Sequence, residues 1–259
     1  MAAVLELKNV CKNFGGLSAI SHLDMKVDEG IIYSLIGPNG AGKTTVFNMI
    51  TGVYPLTDGE ILFEGAKLDG IPPYQIVKKG IARTYQNIRL FKKMTALENV
   101  MTGFHCHTSA NMFNIVFRYG KMKEEERQVR EKSEELLRYL GMLDRKNNEA
   151  GSLPYGHQRI LEIARALASK PKLLLLDEPA AGMNSEEKQE LIEMIYKIKE
   201  DFHLAVLLVE HDMELVMKIS NGITVLNYGA KIAEGTPKEV QNDQAVIEAY
   251  LGGNANAES

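Results

Sequence analysis

The chain has 259 residues, of which 45% are hydrophobic and 25% charged, a balance that excludes a disordered or fibrous protein and leaves room for one large globular domain or two small ones. Its net charge of −4 argues against nucleic acid as the main partner, because a binder of phosphate backbones carries a basic excess or stripe. Two cysteines cannot build a disulfide framework and fit a reducing cytoplasm, and no apolar run approaches the ~20 residues of a membrane helix.

Residues 4–36 alternate like half-buried strands, with Leu5 and Leu7 set against Glu6 and Lys8, then Leu23, Met25 and Val27 against Asp24 and Lys26. Phe14 falls at the Gly15-Gly16 turn between them. It is either an aromatic face for a nucleotide base or an ordinary core or turn aromatic. The apolar run Ile31 to Ile36 then delivers Gly37-Pro38-Asn39-Gly40-Ala41-Gly42-Lys43-Thr44, a GxxxxGK[ST] loop opening a helix. Backbone N–H groups of such a loop form a nest for phosphate oxygens. Lys43 is placed to reach the β- and γ-phosphates, and the Thr44 hydroxyl to ligate Mg²⁺.

Gly59 to Phe63 reads as a strand, Pro72-Pro73 opens a short helix ending near Gly80, and Ile81 to Tyr85 is a short strand ending in Gln86. A glutamine there can present a carbonyl oxygen to a metal or an attacking water. From Asn87 to about Gly151 helical signals dominate: Thr95 with Glu98 forms a capping box, and Met122, Val129, Leu136, Leu137 and Leu140 share a helical face. The charges from Glu124 to Lys132 read as a solvated face, and Met112 to Tyr119 as an apolar patch, packed locally or facing a partner. His105-Cys106-His107 lacks further ligands at finger-like spacing, so a metal site is not expected.

The α/β rhythm resumes with a helix over Gly156 to Ser169 and the run Lys172 to Leu176, which ends in Asp177-Glu178. Four leucines mark a strand buried on both faces, and carboxylates at its C-terminal end stand where open α/β sheets bind ligands. Asp177 is suited to hold Mg²⁺ through water and Glu178 to polarise an attacking water. A helix over 185–200 precedes a second buried strand, Leu204 to Val209, ending in Glu210-His211-Asp212, which places His211 as the Asp177-Glu178 pair is placed. Strand-like pieces at Ile223 to Asn227 and Lys231 to Ala233, a helix around Ala245 to Tyr250 and a frayed small-residue tail complete the chain.

Between the helical stretch and the Asp177 strand, Leu153-Pro154-Tyr155-Gly156-His157 with Gln158-Arg159 through Leu167 resembles the signature of ATP-binding cassette (ABC) ATPases, LSGGQ followed by Q-R-x-x-x-A-R-A-L. With the phosphate loop (Walker A), Gln86 (Q-loop), Leu173 to Glu178 (Walker B), Gly182-Met183-Asn184 (D-loop) and His211 (switch), the resemblance covers nearly the whole chain. Phe14 to Leu17, Arg83 to Phe91, Leu161 to Arg165, Asp177 to Asn184 and Glu210 to Met217 are similar to the ATPases of high-affinity branched-chain amino acid importers.

The resemblance implies an α/β fold: a P-loop NTPase (RecA-like) core over 1–86 and 152–259, with an N-terminal antiparallel β-subdomain and a helical subdomain over about 87–151. It implies ATP held by Phe14, Gly37, Pro38, Asn39, Gly40, Ala41, Gly42, Lys43, Thr44 and Thr45, and in trans by Leu153, Pro154, Tyr155, Gly156 and His157 of a second ATPase subunit, the same or paralogous. Mg²⁺ would sit on Thr44, Gln86 and Asp177, with Glu178, His211 and Gln86 catalytic. The implied partners are membrane permease subunits and, indirectly, a substrate-binding protein, placing a cytoplasmic subunit on the inner face of the membrane. Lipid or lipopolysaccharide export is an alternative. Remodelling of nucleic acid or ribosomes is a more distant one, given a single cassette, a short insertion and no basic excess. Two departures stand out: Pro154 replaces the signature serine, removing a hydroxyl and an N–H, and Met183-Asn184 replaces the usual Leu-Asp.

Overall fold

The apolar runs that end in polar residues become parallel strands with every position buried. A computed structural model describes residues 2–107 and 119–255. In chain order its elements are β1 (Ala3–Phe14), β2 (Leu17–Asp28), β3 (Ile32–Ile36), α1 (Lys43–Ile50), β4 (Asp58–Phe63), β5 (Ala66–Lys67), α2 (Pro73–Lys79), β6 (Ile81–Arg83), α3 (Ala96–Phe104), α4 (Tyr119–Tyr139), α5 (Tyr155–Ala168), β7 (Leu173–Asp177), α6 (Ser185–Phe202), β8 (Ala205–Val209), α7 (Met213–Ile219), β9 (Gly222–Asn227), β10 (Ala230–Gly235), α8 (Pro237–Gln241) and α9 (Gln244–Ala255). They fall into two units, Met1–Ile76 with Lys172–Ser259, and Val77–Pro171. The second unit is wider than the helical stretch 87–151 because β6 and α5 group with the helices.

In the first unit β10, β9, β3, β8 and β7 lie side by side in that order, β3 parallel to both β8 and β9 and β7 parallel to β8. The strands β3, β7 and β8 are buried at all positions, as a sheet covered on both faces requires. Each buried leucine or isoleucine there contributes about 1.5–3 kcal/mol of transfer free energy. The register aligns their C-terminal ends: Val209 lies opposite both Leu35 and Asp177. Gly37, Glu178 and Glu210 therefore leave the sheet along one edge. A second sheet, β2-β1-β4-β5, is antiparallel throughout, and β1 and β2 carry the half-buried alternation of their sequence.

In the second unit α3 starts at the expected capping box, with the Thr95 side chain accepting from the Glu98 N–H and the Glu98 side chain accepting from the Thr95 N–H. Asn99, fully buried, holds the preceding loop: its Oδ1 accepts from the Phe91 N–H (2.9 Å) and its Nδ2 donates to Phe91 O (3.1 Å). Along α4 the charged segment is exposed, with Arg127 bridging Glu124 (2.7 Å) and Glu131 (2.9 Å), and burial begins at Ser133 and continues at Leu136, Leu137 and Leu140. The apolar patch at Met112 to Phe117 lies outside the described residues.

Three differences from the sequence expectations appear, and two of them have local causes. The short edge strand β5 pairs only Leu62 with Lys67 and Phe63 with Ala66, too few residues to leave a pattern. The helices α7 and α8 are a turn or two long and owe their starts to caps, Asp212 accepting from the Leu215 N–H and Thr236 from the Glu239 N–H. The last helix runs to Ala255, past the expected end at Tyr250. Residues 256–259 of the tail are outside the described residues.

Candidate functional site

The phosphate-binding loop is shaped by glycines that no other residue replaces. Gly42 has φ +105°, and a Cβ on it would sit 2.6 Å from Ile20 Cδ1 and 2.9 Å from Ala19 O of β2. At Gly37, φ +149°, a Cβ would come within 2.1 Å of Leu226 O of β9. Backbone thus approaches backbone on both sides of the loop. The β9–β10 turn adds a clamp, Gly229 N–H donating to Ala41 O (3.0 Å) and Ser21 N–H donating to Gly229 O (2.9 Å).

Lys43 opens α1 with its side chain folded along the loop, Nζ donating to Gly37 O (2.7 Å) and Pro38 O (3.0 Å). Burial lowers its pKa, and the negative charges of Glu178 and Asp177 pull it back up. Asp177 is itself buried at the end of β7. Glu178 follows in the left-handed region, φ +47°, a conformation that costs on the order of 1 kcal/mol for a non-glycine residue. Its N–H is held by Val209 O at 2.8 Å, which fixes the turn.

His211 stands beyond β8 with Nδ1 3.6 Å from Glu178 Oε2 and its side chain largely exposed. Between these loops lies Glu210, 1% exposed, a residue whose part the sequence reading missed. Its Oε1 accepts from the Ala180 N–H (2.9 Å), and its Oε2 from the His211 N–H (3.0 Å) and Asp212 N–H (3.4 Å). One carboxylate therefore joins the loop after Asp177-Glu178 to the loop bearing His211. The available signal was an acid ending an all-apolar run, the one already used for Asp177.

At the D-loop position, Asn184 is the N-cap of α6: its Oδ1 accepts from the Glu187 N–H and the Glu187 carboxylate accepts from the Asn184 N–H, both at 2.9 Å. Phe14 is a half-exposed aromatic rather than a core one. Its ring meets Tyr54 edge-on with centroids 5.2 Å apart, and Lys12 Nζ lies 4.8 Å from its centroid.

The first unit thus brings together the loop Gly37 to Thr45, Asp177, Glu178 and His211. The second unit carries Gln86 and Leu153 to His157. Pro154 stands just before α5, so the amides of the first turn have no partner within the helix and present a positive end. Arg145 Nη1 lies 2.6 Å from His157 Nε2, a guanidinium donor facing an imidazole nitrogen. Arg83 and Arg89 both lie over the Tyr85 ring, guanidinium carbons 4.8 and 4.5 Å from its centre. Arg159 and Glu162 of α5 were likewise missed by the sequence reading, although two charges at i, i+3 on an otherwise apolar helix face were a readable signal.

A glycine-rich loop on a parallel strand, a lysine folded along it and a carboxylate pair at the end of a neighbouring strand define a P-loop nucleotide hydrolase. The donor chemistry fits Mg²⁺-nucleotide: a hydroxyl at Thr44 and carboxylate oxygens at Asp177 suit a hard cation, and Lys43 at the loop suits phosphate oxygens. The chain belongs to the ABC transporter ATP-binding family, whose pattern it matches over residues 20–181, and it hydrolyses ATP as that family does. Residues 230–256 match a further family, the branched-chain amino acid ATP-binding cassette transporter.

Over 249 residues the chain is 45% identical to the high-affinity branched-chain amino acid transport ATP-binding protein BraF of Pseudomonas aeruginosa, covering 96% of this chain and 98% of that one. It is 41% identical to LivG of Escherichia coli, again over 96% and 98%. Among solved structures, the ADP conformation of MJ1267, an ATP-binding cassette of an ABC transporter, superimposes with a TM-score of 0.84 at 29% identity, covering 97% of this chain and 100% of that one. A nucleotide-free ATP-binding cassette from an ABC transporter also gives 0.84, at 30% identity over 96% and 99%. Among the described residues no helix is long and apolar enough to cross a membrane.

Proposed function

We propose that this chain is the ATP-hydrolysing subunit of an importer for branched-chain or other amino acids. The observation that carries this reading is the match of residues 230–256 to the branched-chain amino acid cassette family, on a chain that aligns end to end with relatives of that name. In the proposed cycle two ATPase subunits, identical or paralogous, close head to tail around nucleotide and reopen after hydrolysis. Permease subunits hold the pair at the inner face of the membrane and couple this motion to transport, with a substrate-binding protein acting through them.

Each site would take the loop Gly37 to Thr45, with Phe14 against the base, from one subunit and Leu153 to His157 from the other. Pro154 brings no hydroxyl, so the first-turn amides of α5 and their dipole supply the favourable field in its place. Lys43, the loop amides and His211 stabilise the charge that develops on the γ-phosphoryl group. Thr44, Asp177 and Gln86 would hold Mg²⁺, which when bound neutralises phosphate charge. Glu178 orients and polarises the attacking water, with His211 3.6 Å away to fix its carboxylate. Glu178→Gln is expected to bind ATP with unchanged affinity and to lose at least about a hundredfold in turnover. Unchanged steady-state hydrolysis would remove Glu178 from the mechanism. Tagged chain should co-purify from membranes with polytopic subunits and restore uptake of leucine, isoleucine or valine in cells lacking it; recovery with ribosomes or nucleic acid instead would overturn the transport role.

A further inference from the structure

Arg159 is the largest fully buried side chain among the described residues, and its hydrogen bonds go to backbone of the Q-loop and to side chains of its own helix. Nη1 donates to Tyr85 O (2.6 Å) and to Glu162 Oε2 (3.1 Å). Nη2 donates to Gln86 O (2.9 Å) and, from the same nitrogen, to the Tyr155 hydroxyl (3.1 Å). Glu162, 1% exposed, completes the grip: its Oε1 accepts from the Arg89 N–H (3.1 Å) and the Tyr85 N–H (3.4 Å). Burial raises the Glu162 pKa, and the two amides and Arg159 act against that rise.

A buried ion pair is no more stabilising than well-packed apolar side chains of equal volume, because desolvation offsets the attraction. What this pair does specify is geometry, since a planar guanidinium satisfies two adjacent carbonyls only in one arrangement of the backbone. The arrangement it fixes is that of residues 85–89. Its far end is Tyr155, the third residue of the signature stretch, where the LSGGQ pattern has glycine.

The geometry points to Arg159 as a positioning residue: it couples the backbone at Gln86 to Tyr155 of the signature, so that the two move as one piece when nucleotide is engaged. This rests on the roles proposed above for Gln86 and for the signature. It adds that the glutamine acts at full strength only while Arg159, braced by Glu162, holds its carbonyl.

The test is a double-mutant cycle in the full-length chain, read as ATP turnover and, separately, as ATP affinity. Arg159→Lys keeps the charge and loses the fork, and is expected to lower kcat about tenfold with affinity for ATP within about twofold. Combined with Gln86→Ala it should add little, because its effect runs through that glutamine. Additive losses would overturn the positioning role while leaving Gln86 its own. Full turnover in Gln86→Ala alone would remove the glutamine from hydrolysis, and the positioning role with it. If Arg159→Lys does not fold, Tyr155→Phe, which deletes only a hydroxyl from a half-exposed ring, carries the same cycle with an expected loss of about threefold. Wild-type turnover in Tyr155→Phe would break the coupling to the signature.

Discussion

Replacing Glu210 by alanine is expected to cost about 3 kcal/mol. The carboxylate accepts three backbone N–H groups, at 2.9, 3.0 and 3.4 Å, from two loops. The bond from Ala180 is buried, so its loss leaves an amide that water does not reach, worth about 1–3 kcal/mol. The bond from His211 is also charge-assisted but lies beside an exposed side chain, so solvent recovers part of it, and the 3.4 Å contact adds little. Relief of the buried charge returns some of the total. For a chain of this size about 3 kcal/mol corresponds to a fall in Tm of roughly 6–12 °C. Glu210→Gln retains one acceptor oxygen but turns an amino group toward the other loop, and should fall between wild type and alanine at about 1–2 kcal/mol. Thermal unfolding of the nucleotide-free chain, followed by circular dichroism, gives both shifts. A Tm for Glu210→Ala within 2 °C of wild type, on the order of the smallest shift one kcal/mol produces, would refute the assignment of this carboxylate as the tie between the loops.

Two further predictions concern helix starts. Asn184→Ala removes the cap of α6 and should lower stability by about 1 kcal/mol, whereas Asn184→Asp should not, because aspartate caps equally well and its charge suits the helix dipole; equal losses in urea titration would contradict the capping role. The ammonium of Lys188 beside Asp212 holds that carboxyl below its ordinary value of 3.8. A folded value depressed below the unfolded one means stability that is present above the unfolded pKa and lost as pH falls through the folded one. The Tm difference between wild type and Asp212→Asn, which keeps the cap, should therefore shrink from about pH 5 to pH 3. A difference independent of pH would refute the charge pairing.

The parallel core was legible because β3, β7 and β8 are apolar at every position, a pattern only doubly covered strands need. The phosphate loop was legible from its glycines, although the reason for Gly42, its contact with Ile20 and Ala19 of β2, belongs to the tertiary fold. Glu210 and Arg159 each stood out as charges on apolar elements, but what they hold did not, because their partners, the Ala180 N–H and the Tyr85 carbonyl, are backbone groups 30 and 74 residues away that no side-chain pattern marks. The start of α8 had a local signal, Thr236 and Glu239 around Pro237, overlooked in a helix too short to show an apolar stripe. Phe14 was undecidable in sequence because exposure, not residue type, separates a base platform from a core ring.

The C-terminal segment bears on how the protein is made. Ile36, the residue that feeds the phosphate loop, shares a cluster with Val225, Val240 and Val246, against which Tyr250 packs. Its strand is also tied to the far end of the chain through Ile32, whose N–H donates to Asn221 Oδ1 across 189 residues. A chain emerging from the ribosome holds its glycine loop early, yet the part of the packing around Ile36 that Val240, Val246 and Tyr250 supply is added only with α8 and α9. Nucleotide engagement by this loop is therefore a late event in biogenesis. A nascent chain stalled before Val240 already has β8 and β9 to pair both edges of β3, but leaves the apolar face around Ile36, Val216 and Val225 without its C-terminal cover.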